Sequence, residues 1–275
     1  MRIIDTHLHL VYKDRFTYPW LDGAPAINRQ WTAQAYFAEA ERLGIDAALH
    51  MEVDVDETDI VPETRFMLSV HPKVIGAIAA CRPESSSFPA QLESLRALGG
   101  VKGLRRILHT QPDDLSQSAL FAENIRRLGA AELTFDICVL ARQLDIGRAL
   151  AAKCPDVQFV LDHCGVPDIA GGDFAAWRDG ITRIAELPNV AAKISGVIAY
   201  GGPDWTAATL RPYVEHIIES FGWDRVVWGS DHPVCTLTAN LTRWVDTTRE
   251  LISGASATEQ ARLFHANAER IYHLV

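Results

Sequence analysis

The sequence lacks the features that mark a membrane, nucleic-acid-binding or disulfide-linked protein. No apolar run approaches the roughly 18 residues of a transmembrane helix. The net charge is -9 and no block of like charges stands out, which argues against nucleic acid and anionic membranes as partners. A strand-type segment begins at Arg2, which leaves no room for a signal peptide, and we expect a cytoplasmic protein. A small molecule is the expected partner, and nothing in the sequence predicts the oligomeric state.

Cysteine is scarce and unpatterned. The five cysteines are odd in number and none falls in a C-x-x-C pair: Cys81, Cys138, Cys154, Cys164 and Cys235. They are predicted to be reduced and mostly buried, and not part of a disulfide framework or a zinc cluster. With 275 residues of which 48% are hydrophobic, the chain can bury a sizeable core, in one large domain or two small ones.

Eight apolar segments of strand length recur through the chain, each followed by helical sequence. They span residues 2–10, 45–53, 74–81, 101–109, 133–139, 157–165, 190–196 and 225–228. Most lack the polar alternation of a half-exposed strand, as expected for a parallel sheet buried on both faces. They predict an α/β fold, a single-domain (β/α)8 TIM-type barrel over residues 1–275. A doubly wound open sheet is the alternative, but it usually carries a glycine-rich turn where this chain has His-x-His.

Two regions stand apart from this repeat. Residues 11–30 form an irregular segment that contains Tyr18 and Trp20 and is too aromatic for a solvated linker. We therefore expect a loop that folds over a pocket. From about residue 237 to the end, helical sequence continues as a tail.

Polar residues follow the ends of almost every predicted strand. In a barrel, the carboxyl ends of the strands converge on one face, where chemistry is normally done. In chain order these residues are His7, His9, Glu52, Arg105, His109, Asp136, Asp162, His163, Lys193, Ser195, Asp231 and His232. Each has an ordinary structural explanation: a lone histidine is more often a hydrogen-bonded structural residue, and Lys193 can simply pair with Asp162 or Asp231. Their convergence on one rim favours a functional site over chance clustering.

Strand alternation refines two of these positions. Period two places Asp5, His7 and His9 on one face of the first strand, so the two imidazoles can share a ligand. Arg105 and Arg106 are adjacent in the fourth strand. At most one of them therefore faces the barrel mouth, and the other is expected to meet a helix.

Four motifs resemble the amidohydrolase superfamily and, more narrowly, its branch of sugar-lactone and dicarboxylate-lactone hydrolases. They are His7-x-His9, Asp162-His163-Cys164-Gly165-Val166-Pro167, Lys193-Ile194-Ser195-Gly196 and Trp228-Gly229-Ser230-Asp231-His232-Pro233-Val234. The early Tyr18-Pro19-Trp20 and the tail Phe264-x-x-Asn267-Ala268-x-Arg270-x-Tyr272 are similar to L-fuconolactonase and L-rhamnonolactonase-type members. The resemblance extends from Ile4 to Tyr272.

The resemblance implies a metal site of which only a part is present. His7, His9, His163 and Asp231 match the superfamily's pattern, whereas the bridging residue of the fourth strand and the histidine of the fifth strand are absent. At most one divalent ion is therefore implied, with zinc preferred, held by His7 and His9 together with Glu52 or Asp231. Members of this branch also work without a metal, so both states stay open.

The activity that the resemblance implies is hydrolysis of a sugar-derived lactone, such as L-fucono- or L-rhamnonolactone, to the sugar acid. Asp231 is the expected general base that activates water, and His163 is expected to polarise the carbonyl group. His232 stands where the branch commonly has tryptophan. The expected substrate-binding residues are Arg105, Trp20, Tyr18, His109 and His232.

Three alternatives stay open. A hydrolase of a dicarboxylate or muconate-type lactone would want several arginines at the rim, and Arg82 and Arg105 are the only obvious ones. A non-oxidative decarboxylase on the same barrel would bind a metal firmly, and its activity would follow its metal content. A non-catalytic barrel would bind a sugar acid or a protein partner and would tolerate loss of Asp231.

Overall fold

Eight parallel strands form the centre of the computed structural model, which describes residues 1–274. The strands are β1 (Ile3–Leu8), β2 (Ile45–Met51), β3 (Val74–Ala80), β4 (Val101–Ile107), β5 (Thr134–Cys138), β6 (Phe159–Leu161), β7 (Val190–Ile194) and β8 (Val226–Trp228). Each pairs with the next along the chain, and β8 returns to β1 through a bridge between Leu8 and His232. The sheet is thus wrapped into a nearly closed barrel. This confirms the predicted single-domain (β/α)8 fold and excludes an open doubly wound sheet.

One helix follows each strand, and two more follow the last of these. The helices are α1 (Ala33–Ala40), α2 (Ile60–Met67), α3 (Phe88–Arg96), α4 (Ala119–Ala130), α5 (Leu144–Lys153), α6 (Phe174–Ala185), α7 (Ala207–Phe221), α8 (Leu241–Leu251), α9 (Ala257–Ala261) and α10 (Asn267–Ile271). Several begin at a side chain that accepts a hydrogen bond from a backbone amide of the first turn, as N-caps do. These caps are Thr32, Ser118, Asp173, Thr206, Asn240 and Ser256. Within residues 1–274, no helix combines the length and the apolar character that crossing a bilayer requires.

The sixth strand is shorter than its apolar sequence predicts. Strand β6 ends at Leu161, and Asp162–Gly165 form a single turn in which His163 and Cys164 have φ angles of 53° and 54°. Non-glycine residues rarely adopt this left-handed conformation, and such strain concentrates at functional sites. The turn places the polar end of this segment at the mouth of the barrel.

The core has two layers. The larger one lies between the sheet and the helices and includes Phe37, Phe135 and Trp177. The smaller one fills the barrel with strand residues such as Ile4 and is joined by side chains of the C-terminal tail: Ala268, Ile271 and Tyr272. Because these tail residues pack at the amino ends of the strands, the tail closes the end of the barrel opposite the polar rim.

The aromatic segment of residues 11–30 lies at the polar rim. Val11 at its start pairs antiparallel with Trp31, which ties the two ends of the segment together. A short 3-10 helix, Pro19–Gly23, interrupts it. The indole N–H of Trp20 donates to the Val53 carbonyl at 2.8 Å, so the segment is fastened to the loop after β2.

Candidate active site

A cavity of about 270 Å³ opens at the carboxyl ends of the strands. Its charged lining residues are Glu52, Asp54, Arg105 and Asp231, its imidazoles are His9, His109 and His163, and its large aromatic rings are Trp20 and Tyr200. Six of the twelve strand-end residues that the sequence indicated line this one small cavity: His9, Glu52, Arg105, His109, His163 and Asp231. The expected substrate-binding residues Arg105, Trp20 and His109 are among its walls.

Asp231 lies in the wall of this cavity and is 2% exposed. It follows β8 with a left-handed backbone, φ 55°. Burial raises the pKa of the Asp231 carboxyl to about 6, although His163 and Arg105 act in the opposite direction. At neutral pH such a carboxylate is still ionised and is more basic than an ordinary aspartate, which suits a group that accepts a proton.

Two histidines from the end of β1 face Asp231. His9 Nε2 lies 3.4 Å and His7 Nε2 lies 3.7 Å from Asp231 Oδ1. His9 Nδ1 is 3.0 Å from the carbonyl oxygen of Glu52 and 3.1 Å from that of Met51, so Nδ1 donates and Nε2 keeps its lone pair. Burial lowers the pKa of His9 to about 3 and that of His7 well below its ordinary value. Both imidazoles are therefore neutral.

His163 approaches the same carboxylate from the turn after β6. Its Nδ1 lies 3.0 Å from Ser195 Oγ and 3.9 Å from Asp231 Oδ2. Gly196, with φ 60°, makes this arrangement possible, because a Cβ there would come within 2.3 Å of His163 Nδ1 and 2.9 Å of Asp231 Oδ2. Burial lowers the pKa of His163, so this imidazole is neutral as well.

Arg105 and Arg106 point in different directions. Arg105 Nε donates to Glu52 Oε1 at 2.7 Å, and Arg105 Nη1 lies 3.3 Å from Asp162 Oδ2. Burial would lower the pKa of Arg105, but the carboxylates around it raise the pKa above its ordinary value. Arg106 turns away and pairs with Glu84 at 2.8 Å. The predicted alternation is confirmed, although Arg106 meets a loop residue where a helix was expected.

A fully buried ion cluster lies beneath the cavity. Lys193 Nζ is 2.6 Å from Asp136 Oδ2, 3.0 Å from Asp162 Oδ1 and 3.2 Å from His7 Nδ1. Burial would raise the pKa of Asp162, but Lys193 and His7 hold it well below its ordinary value. The predicted pairing of Lys193 with Asp162 is confirmed. Its second carboxylate partner is Asp136. Asp231, the other partner that the sequence suggested, lies in the cavity wall.

Some residues that line the cavity were not among the site residues predicted from the sequence. Cys138 lies at the end of β5 with its Sγ 3.2 Å from His109 Nδ1, and burial raises the pKa of this thiol above its ordinary value. Tyr200 lines the cavity from the loop after β7, which periodicity cannot place. Asp54 and Thr110 also line it. Each lies three residues beyond the end of a strand, β2 or β4, and this position was the available signal.

A family model described as amidohydrolase matches residues 4–274. The chain belongs to the amidohydrolase family. Among curated relatives, the L-fucono-1,5-lactonase of Burkholderia multivorans is 29% identical, over 98% of this chain and 96% of that protein. An uncharacterized protein of Sinorhizobium fredii is 28% identical, over 99% and 98% of the two chains. A crystal structure of an amidohydrolase from Burkholderia multivorans with bound zinc has a TM-score of 0.91 at 25% identity and covers 100% of both chains. The family resemblance of the four motifs is confirmed.

Two groups of side chains in this amidohydrolase could hold a metal ion, within the part of the chain that the structure describes. The outer group is His7, His9 and Asp231, and the inner group is His7, Asp162 and His163. In the outer group, the lone pair of His9 Nε2 faces the Asp231 carboxylate at 3.4 Å. Two acceptors at this distance are satisfied by a cation or a proton between them, and zinc takes this mixture of nitrogen and oxygen ligands. The outer group therefore fits one divalent ion.

Glu52 does not join either group. Its Oε1 is held by Arg105 Nε at 2.7 Å, and its Oε2 accepts a hydrogen bond from the Asp54 amide at 2.7 Å. Both oxygens are therefore directed to donors. The structure favours Asp231 over Glu52 as the carboxylate beside His7 and His9.

Two expected substrate-binding residues lie outside the cavity lining. Tyr18 is 5% exposed and its hydroxyl accepts a hydrogen bond from the Tyr12 amide at 3.1 Å, so its ring belongs to the core. His232 packs against Trp31 and Tyr36, with ring centroids 5.0 and 5.2 Å away. Both side chains support the rim from behind.

The expectation that Asp5 shares a face with both histidines of β1 is wrong. Its carboxylate accepts hydrogen bonds from the hydroxyls of Tyr36 in α1 and Ser230, each at 2.5 Å. The pairing of β1 with β2 shifts its register between Asp5 and Leu8. Because strict alternation breaks there, His7 turns toward the buried ion cluster while Asp5 does not.

Proposed function

We propose that this amidohydrolase hydrolyses an uncharged lactone of a sugar acid to the free acid. The charge of the cavity is the observation that carries the proposal. Glu52, Asp54 and Asp231 line it against the guanidinium of Arg105, which is already paired with Glu52 at 2.7 Å. The three lining imidazoles have lowered pKa values because of burial and add no charge. A cavity of this charge favours a neutral substrate over an anionic one.

The reaction needs a base for water and a donor for the oxyanion. Asp231 takes a proton from the attacking water, whose oxygen forms the new bond to the lactone carbonyl carbon. When the ring C–O bond breaks, Asp231 returns that proton to the leaving ring oxygen, so that a hydroxy acid is released. Ser195 Oγ lies 3.0 Å from His163 Nδ1. In the tautomer that accepts a hydrogen bond from this hydroxyl, His163 carries its proton on Nε2 and can stabilise the developing oxyanion.

Other lining residues bind and orient the ring. Trp20, fixed by its bond to the Val53 carbonyl, offers an aromatic wall to the apolar face of a sugar, as does Tyr200. The Asp54 carboxylate, which also lines the cavity, is an acceptor for sugar hydroxyls. A divalent ion held by His7, His9 and Asp231 would act as a Lewis acid on the carbonyl or lower the pKa of the water.

The substrates of the two alternative reactions fit this charge less well. A dicarboxylate lactone and the acid substrate of a decarboxylase both carry carboxylates that need cationic partners. Arg105 is paired with Glu52 and Asp162, and the other expected rim arginine, Arg82, faces Asp54 at 3.6 Å. These neighbours already neutralise the cations that an anionic substrate would use.

The test is a pH-indicator assay on matched panels of neutral aldonolactones and of lactones with one or two free carboxylates. L-Fucono-1,5-lactone is the first neutral member, since the Burkholderia relative is named for it. We expect turnover well above the spontaneous rate on the neutral panel, and loss of that turnover in Asp231→Asn. A preference for the carboxylated panel would overturn the proposal. The same assay with a chelator then decides whether a metal contributes.

A further inference from the structure

The inner group of potential metal ligands contains a cation of its own. His7, Asp162 and His163 are buried, and their ligand atoms lie within 4.8 Å of one another. Two imidazoles and a carboxylate are ligands that zinc accepts. The ammonium of Lys193 lies against two of them, 3.0 Å from Asp162 Oδ1 and 3.2 Å from His7 Nδ1.

This ammonium is held firmly in place. Lys193 has no exposed surface, and Asp136 Oδ2 at 2.6 Å and the Thr6 carbonyl at 3.2 Å accept further hydrogen bonds from its Nζ. The Tyr272 ring from the C-terminal tail is centred 5.8 Å away and closes the space below. A lysine enclosed in this way cannot swing aside to admit another ion.

The charges around Lys193 also require a cation. Asp136 and Asp162 are buried carboxylates, and isolated buried charges are strongly unfavourable. The Lys193 ammonium, 2.6 Å from Asp136 Oδ2 and 3.0 Å from Asp162 Oδ1, supplies the cation that both carboxylates need. A zinc ion bound to Asp162 and His7 would sit about 2.0–2.2 Å from its ligand atoms, in direct conflict with the ammonium.

The outer group is arranged differently. His9 and Asp231 face each other at 3.4 Å, and both line the open cavity. His7 is common to the two groups: its Nδ1 faces Lys193 and its Nε2 faces Asp231. His7 Nε2 also lies 3.3 Å from Arg105 Nη1, and His7 Nδ1 lies 3.3 Å from Asp162 Oδ1. In the tautomer that donates from Nδ1 to Asp162, the Nε2 lone pair is directed to the outer group.

We propose that Lys193 is a built-in cation that fills the inner group and limits this protein to a single divalent ion, at the outer group. The inference does not depend on the proposed lactone hydrolysis, because metal stoichiometry can be measured without a substrate. It predicts that a second metal site is latent in the sequence and becomes available when the ammonium is removed.

The first experiment compares the zinc content of native protein and Lys193→Met after equilibration with zinc and removal of free ion. Methionine keeps an unbranched side chain of similar length without the charge. We expect at most one zinc per chain in the native protein and one additional zinc in the variant. A native protein that binds two ions, or a folded variant that gains none, would overturn the proposal.

Two double variants provide a matched control and guard against misfolding. Lys193→Met with Asp136→Asn removes one buried carboxylate but keeps His7, Asp162 and His163, so it should retain the additional zinc. Lys193→Met with Asp162→Asn removes the same charge together with a ligand, so it should lose the additional zinc. Equal zinc content in the two folded double variants contradicts the assignment of the inner group.

A measurement on the native protein needs no variant at all. Anomalous scattering at the zinc edge from native crystals soaked in zinc should show a peak between His7, His9 and Asp231, or no peak in the barrel. A peak bonded to Asp162 would mean that Lys193 does not exclude the ion, and the proposal would fail whatever the variants do.

Discussion

Asp5 and Ser230 are joined by two hydrogen bonds across the closure of the barrel. The Ser230 amide donates to Asp5 Oδ1 at 2.8 Å and the Ser230 hydroxyl donates to Asp5 Oδ2 at 2.5 Å. The next residue is Asp231, whose left-handed backbone, φ 55°, directs its carboxylate toward the histidines of β1. A carboxylate on the first strand thus holds the proposed general base on the last.

This relationship makes Asp5 a positioning residue with a testable effect. In Asp5→Asn, the amide nitrogen cannot accept from the Ser230 hydroxyl or amide, so the turn that carries Asp231 should shift. Misplacement of a reacting group by about 1 Å can cost on the order of 10²-fold in rate, and we expect a fall in kcat of this order with a smaller change in KM. Asp46→Asn is the control, because Asp46 pairs with Arg2 at the exposed surface (3.1 Å), away from the cavity. Unchanged kcat in Asp5→Asn would contradict the role.

Asp231→Asn should abolish hydrolysis and yet stabilise the metal-free protein. Burial raises the pKa of this carboxyl from 3.8 to about 6, so the folded state holds its proton more tightly than the unfolded state does. The ionised form therefore costs folding free energy: the cost is absent below pH 3.8, grows between pH 3.8 and pH 6, and is on the order of 3 kcal/mol at neutral pH. Asparagine carries no such cost. Thermal unfolding of both proteins in a chelator at neutral pH measures this difference in stability. An equal or lower Tm for the variant would mean that the buried, ionised carboxylate does not destabilise the fold.

The same pKa fixes the sign of the pH dependence. A general base works in its ionised form, so kcat/KM of the chelated protein should reach a plateau above pH 6 and fall tenfold per pH unit below it. Neutral imidazoles whose pKa values are lowered should add no further change near neutrality. A flat profile through pH 6, corrected for spontaneous hydrolysis, would remove Asp231 from the role of base.

The repeat of strands and helices could be predicted because apolar strand segments and helical periods are local properties of the sequence. The convergence of His9, His163 and Asp231 also followed, since all strand ends of a barrel point to one rim. The break in alternation after Asp5 did not follow, because it depends on how β1 pairs with β2. Nor could the sequence tell that Trp20 enters the cavity while Tyr18, two residues earlier, packs in the core.

Ser195 should affect the rate through His163. Its hydroxyl lies 3.0 Å from His163 Nδ1, and the group bonded to one ring nitrogen sets the proton on the other. In Ser195→Ala the ring loses this orientation, and we expect kcat to fall by about 10²-fold with little change in KM, as is typical when one stabilising donor is lost. Ser195→Cys should recover part of the rate. A variant that changes KM alone would show that Ser195 shapes binding and does not orient the imidazole.

The adjacent arginines of β4 provide a matched pair for stability. Arg105 holds the Glu52 carboxylate, which is 2% exposed, so Arg105→Gln leaves a buried charge without its partner and should cost about 3–5 kcal/mol of unfolding free energy. Arg106 pairs with Glu84, whose side chain is 24% exposed, and water can take over its solvation. Arg106→Gln should therefore cost only about 1 kcal/mol.

Urea unfolding of the two variants tests whether the Arg105 loss comes from the stranded charge. If it does, the double variant Arg105→Gln with Glu52→Gln should recover much of the stability that Arg105→Gln loses, because the uncompensated carboxylate is gone. If instead the double variant loses as much stability as Arg105→Gln and Glu52→Gln lose together, the Asp54 amide (2.7 Å) is enough to stabilise Glu52. Arg105 would then contribute through packing. Equal losses in Arg105→Gln and Arg106→Gln would mean that burial of the carboxylate partner does not decide the cost.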